Sequence, residues 1–156
     1  MGFDEVNAYL TQAGYGDMVQ EFDVSSDTVE LAAQALGCPP AHIAKTLSFM
    51  AGTQPLLIVA AGDAKVDNAK FKAQFHQKAK MMNAEELEAF TGLHFGGVCP
   101  FSVPEPVQVW LDASLRRFEE VYPACGSSNS AVRLNIEELE RLSKPAGWVD
   151  VCKGWE

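Results

Sequence analysis

Residues 42–61 constrain the fold more than any other stretch of the chain. Residues 42–50 alternate, with Ile43, Lys45, Leu47 and Phe49 on one face and Ala44, Thr46, Ser48 and Met50 on the other. Residues 52–55 read as a turn, and residues 56–61 form an unbroken apolar run that Gly62-Asp63 ends. Period-two alternation marks a half-buried strand, and a short apolar run between turn residues marks a strand covered on both faces. Together they predict a hairpin leading into a central strand. The run is far shorter than the ~20 residues a membrane-crossing helix needs, so no membrane association is expected.

Around this hairpin, short helices and short strands interleave. Val6, Leu10 and Ala13 form one stripe of a first helix over residues 4–13. Ser26 or Asp27 is placed to cap a second, carrying Val29, Ala32, Ala33 and Leu36 and stopped by Gly37 and Pro39-Pro40. A third helix is expected over residues 66–77. Asn83 with Glu86, and Asn135 with Glu138, are capping-box pairs for two more, closed by Gly92 and Pro145. Asp112 caps a short helix through Phe118. Strands are predicted over residues 19–24, 80–82, 107–111, 120–124, 131–136 and 148–152. Residues 95–100 and 125–130 are left as loops. The helices are too short for parallel doubly wound crossovers, so the pattern favours an α+β fold with a mostly antiparallel, curled sheet.

At 156 residues, 47% hydrophobic and 21% charged, residues 1–156 have the size and balance of a single domain, and disorder, collagen and coiled coil are excluded. Cysteines stand at 38, 99, 125 and 152 with no C-x-x-C pair. No basic-then-apolar leader and no glycosylation sequon is visible, so reduced thiols in a cytoplasmic protein are expected. His42, His76 and His94 have no spacing that would gather a metal with those thiols, and neither metal nor cofactor is expected. The net charge is −9, yet residues 65–80 hold five lysines against Asp67 alone. That acidity argues against a general nucleic-acid binder. The basic segment reads either as a solvated helix face, the favoured reading, or as a local contact for a phosphate backbone.

Three features carry candidate chemistry. Lys45 lies mid-strand on an apolar face, where an unpaired ammonium costs several kcal/mol. It either lines a pocket for something anionic or electron-rich, or it is an inward lysine guarding an edge strand. Gly96-Gly97 and Gly126-Ser127 would let backbone N–H groups approach a carboxylate, phosphate or oxyanion, or they are merely tight turns. Neither fits a phosphate-binding loop or a dinucleotide fingerprint. Cys99 reads better as a small buried thiol than as a nucleophile, and His42 and His76 as packing or surface residues.

These residues resemble a known family. Ala44-Lys45-Thr46-Leu47 looks like its lysine-bearing strand, and the residues from Ala61-Gly62-Asp63 to Lys70-Phe71 are similar to its Gly-Asp…Val-Asp…Lys-Leu stretch. Glu85-Glu86-Leu87, Thr91-Gly92 and Gly96-Gly97-Val98-Cys99-Pro100 resemble its Glu-Glu-Val…Thr-Gly…Gly-Gly-Val-Ser-Pro block, and Gly126-Ser127 followed by Asn129 resembles its late loop. The family is that of the YbaK-like aminoacyl-tRNA editing proteins, related to the editing domain of bacterial prolyl-tRNA synthetases. The likeness runs from about residue 25 to the end, in the family's order. It implies a curved, mixed, barrel-like sheet with flanking short helices. It also implies a free-standing deacylase acting on the aminoacyl 3′ end of a tRNA, often tRNA-Pro, with prolyl-tRNA synthetase as a partner. By the family pattern Lys45 is the functional lysine. Gly96 and Gly97 line the amino-acid pocket as its catalytic backbone, Thr46, Val98, Cys99 and Pro100 contact substrate, and Gly126-Ser127 shape the opposite wall. Two departures stand out: Cys99 replaces a common serine, and Ser128-Asn129-Ser130 occupy a place where some members carry histidine. A binding module of the same fold that turns nothing over is the alternative, because no nucleophile–base pair is evident. An esterase built on Cys99 is the least favoured reading.

Overall fold

The computed structural model describes residues 2–26 and 28–155. Its helices are α1 (Phe3–Gln12), α2 (Val29–Leu36), α3 (Asn68–Phe75), α4 (Ala84–Thr91) and α5 (Ile136–Ser143). Its strands are β1 (Val19–Glu21), β2 (Ile43–Ala51), β3 (Gln54–Ala61), β4 (Lys65–Val66), β5 (Lys80–Met81), β6 (Gln108–Asp112), β7 (Glu120–Pro123), β8 (Ser130–Val132), β9 (Leu134–Asn135), β10 (Gly147–Val149) and β11 (Cys152–Lys153).

Local chemistry sets the helix ends. Asn83 Oδ1 accepts from Glu86 N at 2.8 Å while Glu86 Oε1 accepts from Asn83 N at 3.1 Å, and Asn135 and Glu138 repeat the exchange at 2.7 and 2.9 Å. Gly37 and Gly92 close α2 and α4 in the left-handed region, at φ 70° and 72°. The cap of α2 differs from expectation. Thr28 Oγ1 accepts from Leu31 N at 3.1 Å, whereas Ser26 N and Oγ both donate to the Ser128 carbonyl, so Ser26 is drawn into tertiary contact. Asp27 lies outside the described residues.

The main sheet runs in the order β10-β6-β3-β2-β7-β9, with β5 added to β2. It is mixed: β2 is antiparallel to β3 and β5, β3 and β10 are parallel to β6, and β2 is parallel to β7. Two small antiparallel pairs, β1–β8 and β4–β11, sit beside it, so antiparallel ladders predominate among the described residues. The α+β expectation and the hairpin both hold. β3 lies between β2 and β6, and its residues 55–61 are all buried.

Some predicted strands divide. Residues 131–136 split at Arg133, because Ser130–Val132 pair with β1 while Leu134–Asn135 pair with β7. Residues 148–152 split likewise, the first part pairing with β6 and the last with β4. Val66 joins β4, so α3 begins only after its cap Asp67 and ends at Phe75. One apolar run serving two partners looks continuous in sequence, because pattern records burial and not partner. The core unites β3 with Phe71, Leu87, Phe101, Leu111, Leu115, Leu134 and Leu139, all fully buried. Asp112 is also buried, and its carboxylate accepts from Ser114 N and Val151 N, each at 2.9 Å. Among the described residues no helix is long and apolar enough to cross a membrane.

Candidate functional site

β2 is the element on which the site is built. One edge is laddered to β3 throughout. The other pairs with β7 at residues 43–44 and with β5 at residues 49–50, and Met82 N donates to the Ser48 carbonyl at 3.1 Å. Backbone groups of alternate strand residues point to the same edge, so Thr46 N–H and C=O face the same way as the Ser48 carbonyl, into the gap between β7 and β5. Along this gap opens a cavity of about 330 Å³. Its floor is Ala44-Lys45-Thr46-Leu47, one wall is Phe95, Gly96 and Val98, the other is Ala124, Ser130 and Ala131, and α2 with Ser26 and Thr28 forms the rim.

Lys45 is half-buried, and its ammonium is seated on a turn. Nζ donates to the Gly62 carbonyl at 3.3 Å and to the Ala64 carbonyl. An ammonium has three N–H donors, so one remains for a ligand. Burial pulls its pKa below the ordinary lysine value; Cys152 and Asp63 oppose this, and Lys65 adds to it. The seat is itself braced. A Cβ on Gly62 would lie 2.0 Å from the Pro40 carbonyl, so only glycine lets the turn pack here. Asp63 receives Arg117 in a two-pronged contact at 2.6 and 3.0 Å. Arg117 beside it holds the Asp63 carboxyl below the usual aspartate value.

The glycine loop is a turn with an aromatic tip. Gly97 N donates to the His94 carbonyl at 3.1 Å, and Gly96 takes φ 90° at the third position, where a type II turn demands glycine. This turn holds Phe95 half-exposed at the cavity mouth. No group among the described residues accepts from the N–H of Gly96 or of Val98. Gly97 packs on the late loop: a Cβ there would come within 2.8–2.9 Å of Ser127 backbone atoms. The late loop is tied in turn to the N-terminal segment, since Phe22 and Asn129 exchange hydrogen bonds at 2.7 and 3.0 Å.

Lys45, Thr46, Gly96 and Val98 therefore meet in one cavity. Gly97, Cys99 and Pro100 are buried behind its wall, with the Gly97 N–H spent inside the turn. Gly126 and Ser127 back that wall, and the surface facing Lys45 comes instead from Ala124, Ser130 and Ala131 on either side of the loop. Ser127 Oγ reaches the site only through its 2.6 Å contact with Ser130 Oγ. Cys99 is fully buried, and burial pushes its thiol up to about 12, which removes it as a nucleophile at neutral pH. The cavity carries one orphan: Thr46 Oγ1 is buried with no hydrogen-bond partner among the described residues. The seat at Gly62 and Ala64, its Asp63–Arg117 brace and the display of Phe95 are absent from the sequence reading. An aromatic directly before Gly-Gly was the one local signal available. Among the described residues no group of three or more His, Cys, Asp or Glu is placed to hold a metal.

A half-buried lysine on the strand gap and the residues of a glycine turn thus line the same cavity. Residues 24–142 match the aminoacyl-tRNA editing domain, and the chain belongs to that family. It is similar to the protein YwhH of Bacillus subtilis (strain 168), 48% identical over 157 residues and covering 100% of both chains. It is 28% identical over 127 residues to EbsC of Enterococcus faecalis (strain ATCC 700802 / V583), named as a candidate Cys-tRNA(Pro)/Cys-tRNA(Cys) deacylase, covering 79% of this chain and 77% of that one. A solved structure described as a candidate trans-editing enzyme for prolyl tRNA synthetase superposes with a TM-score of 0.86 at 28% identity, covering 97% of this chain and 96% of the other.

Proposed function

We propose that the protein is a trans-acting deacylase. It hydrolyses the ester between a wrong amino acid and the 3′-terminal adenosine of a tRNA, with tRNA(Pro) as the substrate and prolyl-tRNA synthetase as the source of the error. The observation that carries this reading is that Lys45, Thr46 on the open β2 edge, Gly96 and Val98 line one cavity of about 330 Å³. The family membership and the relatives' names support it.

The chemistry follows from those groups. Water adds to the ester carbonyl carbon, and the carbonyl electron pair moves onto oxygen. The Gly96 and Val98 N–H groups receive that oxyanion, and one well-placed donor is worth about 10²–10³ in rate. Collapse of the adduct expels the ribose oxygen, which takes up the proton, giving free amino acid and uncharged tRNA. Among the described residues no histidine or carboxylate lines the cavity, and in this reading the neighbouring ribose hydroxyl relays the proton. The remaining Lys45 N–H holds the terminal phosphate or polarises the carbonyl.

The lack of a base in the cavity among the described residues favours a second reading, a module that binds the aminoacyl end without turnover. A panel of mischarged tRNAs, tRNA(Pro) carrying alanine or cysteine first, separates the two. The wild type is expected to hydrolyse at least one, and Lys45→Met to lower kcat/KM by about 10²-fold or more. Lys45→Arg, which can still use the carbonyl seat, controls for folding, as does the circular dichroism of both variants. Saturable binding with no hydrolysis across the panel establishes the second reading. Equal turnover by wild type and Lys45→Met removes Lys45 from the mechanism.

A further inference from the structure

The tertiary structure extends the basic segment and connects it to the cleft. β4 and β11 pair so that Lys65 stands directly opposite Lys153. Both are exposed, and like charges facing each other across an antiparallel pair are destabilising. Lys65 shares a second cavity of about 330 Å³ with Lys45, Asn68 and Ala79. Asn68 and Ala79 also line an adjoining cavity of about 380 Å³ that carries Lys72 and Lys78. The four lysines thus form a track that starts behind Lys45 and leads away from it.

Among the described residues no carboxylate lies within ion-pair distance of Lys65, Lys72, Lys78 or Lys153. The carboxylates nearby are engaged elsewhere: Asp63 with Arg117, Asp67 with the Ala69 and Lys70 amides, and Asp150 with Lys70. The chain as a whole carries a net charge of −9, so this track stands out against an acidic background. Four exposed lysines outside any ion pair among the described residues, two of them facing each other across a strand pair, are arranged for an anion that repeats.

We propose that Lys153, Lys65, Lys72 and Lys78 form the surface that takes the phosphodiester backbone of the tRNA acceptor stem, whose 3′ end enters the Lys45 cleft. The identity of the RNA rests on the deacylase reading; the location of the contact rests on the lysines. Lysines on a stem backbone position the substrate and read no sequence. The acidic remainder of the protein repels RNA, so the track also sets its direction of approach.

The test is binding of an unacylated tRNA(Pro) transcript by fluorescence anisotropy, from 50 to 300 mM KCl, alongside the deacylation assay. The variant changes Lys65, Lys72, Lys78 and Lys153 together to Gln, all exposed positions whose neutralisation relieves repulsion. Affinity is expected to fall about tenfold or more at 0.1 M salt, and the slope of log K against log salt to flatten by about 3. Lys144→Gln, outside the track, is expected to change neither. An unchanged affinity and slope in the fourfold variant overturns the track, even if mischarged tRNA is still hydrolysed. Lysine-dependent, salt-dependent binding by a wild type that hydrolyses nothing upholds the track and instead defeats the deacylase reading. Tight binding of an acidic protein with no measurable affinity for the transcript overturns the RNA assignment.

Discussion

Along one edge β2 is paired with β3 over eight consecutive positions, from Ala44↔Ala61 to Ala51↔Gln54. Along the other it meets β7 at residues 43–44 and β5 at residues 49–50, and the Met82 N–H bond to the Ser48 carbonyl is the one backbone contact between them among the described residues. The closed edge faces β3, whose residues 55–61 are all buried, and the open edge faces the cavity. A strand clamped on one side is rigid enough to present Lys45 and Thr46 at fixed positions while leaving main chain free on the other side. Under the proposed deacylase reading, stability and function divide between the two edges of a single strand, and substitutions on each side should read out differently.

The largest effect is expected on the closed edge. Ile58 on β3 is fully buried and stands opposite Leu47, so Ile58→Ala should cost about 2–5 kcal/mol in denaturant unfolding. A loss below about 1 kcal/mol would show that β3 does not carry the core. Gly97→Ala comes next. Its methyl would press on Ser127 backbone within 2.8–2.9 Å, and prising the two loops apart should cost about 1–3 kcal/mol, together with turnover. Retention of both would mean that the loops yield freely.

Thr46→Val sharpens the contrast, because the two readouts should move in opposite directions. Valine keeps the shape and removes a buried hydroxyl that lacks a partner, so thermal stability should rise by the equivalent of about 0.5–1 kcal/mol while deacylation weakens. A fall in both would assign Thr46 to the scaffold alone. The smallest effect belongs to the brace under Lys45. Asp63→Asn removes a partly exposed ion pair and should cost under about 1 kcal/mol at neutral pH. Arg117 depresses the folded-state pKa of Asp63 below its ordinary 3.8, so this contribution is present above that pH and is lost as the pH falls through the lower folded value. The stability difference between wild type and Asp63→Asn should therefore vanish in acid, and a difference that persists at pH 2 would place its source elsewhere.

The legible and illegible parts of the fold separate along the same lines. The Asn83–Glu86 and Asn135–Glu138 caps join residues three apart, and the β2–β3 hairpin joins neighbours through a tight turn, so both were readable. Lys45 was conspicuous because a charge interrupts an apolar face. Its seat was not, since the Gly62 and Ala64 carbonyls are 17 and 19 residues away and carry no side-chain signal. The Gly96-Gly97 pair stood out in the sequence, but one glycine serves the φ of a turn and the other a close approach to Ser127, which the letters do not distinguish.

By itself the sequence determined the caps of α4 and α5, the glycine stops of α2 and α4, a hairpin of two strands around residues 42–50 and 56–61, and which lysine is anomalous, because caps, turns and alternation act over a few residues. Only the tertiary structure decided that β2 keeps an open edge, that Ser26 ties to Ser128 rather than capping α2, and that Lys153 comes to face Lys65 across 88 residues of chain. Those outcomes depend on which distant strand wins each partner, a competition settled by packing the whole core at once.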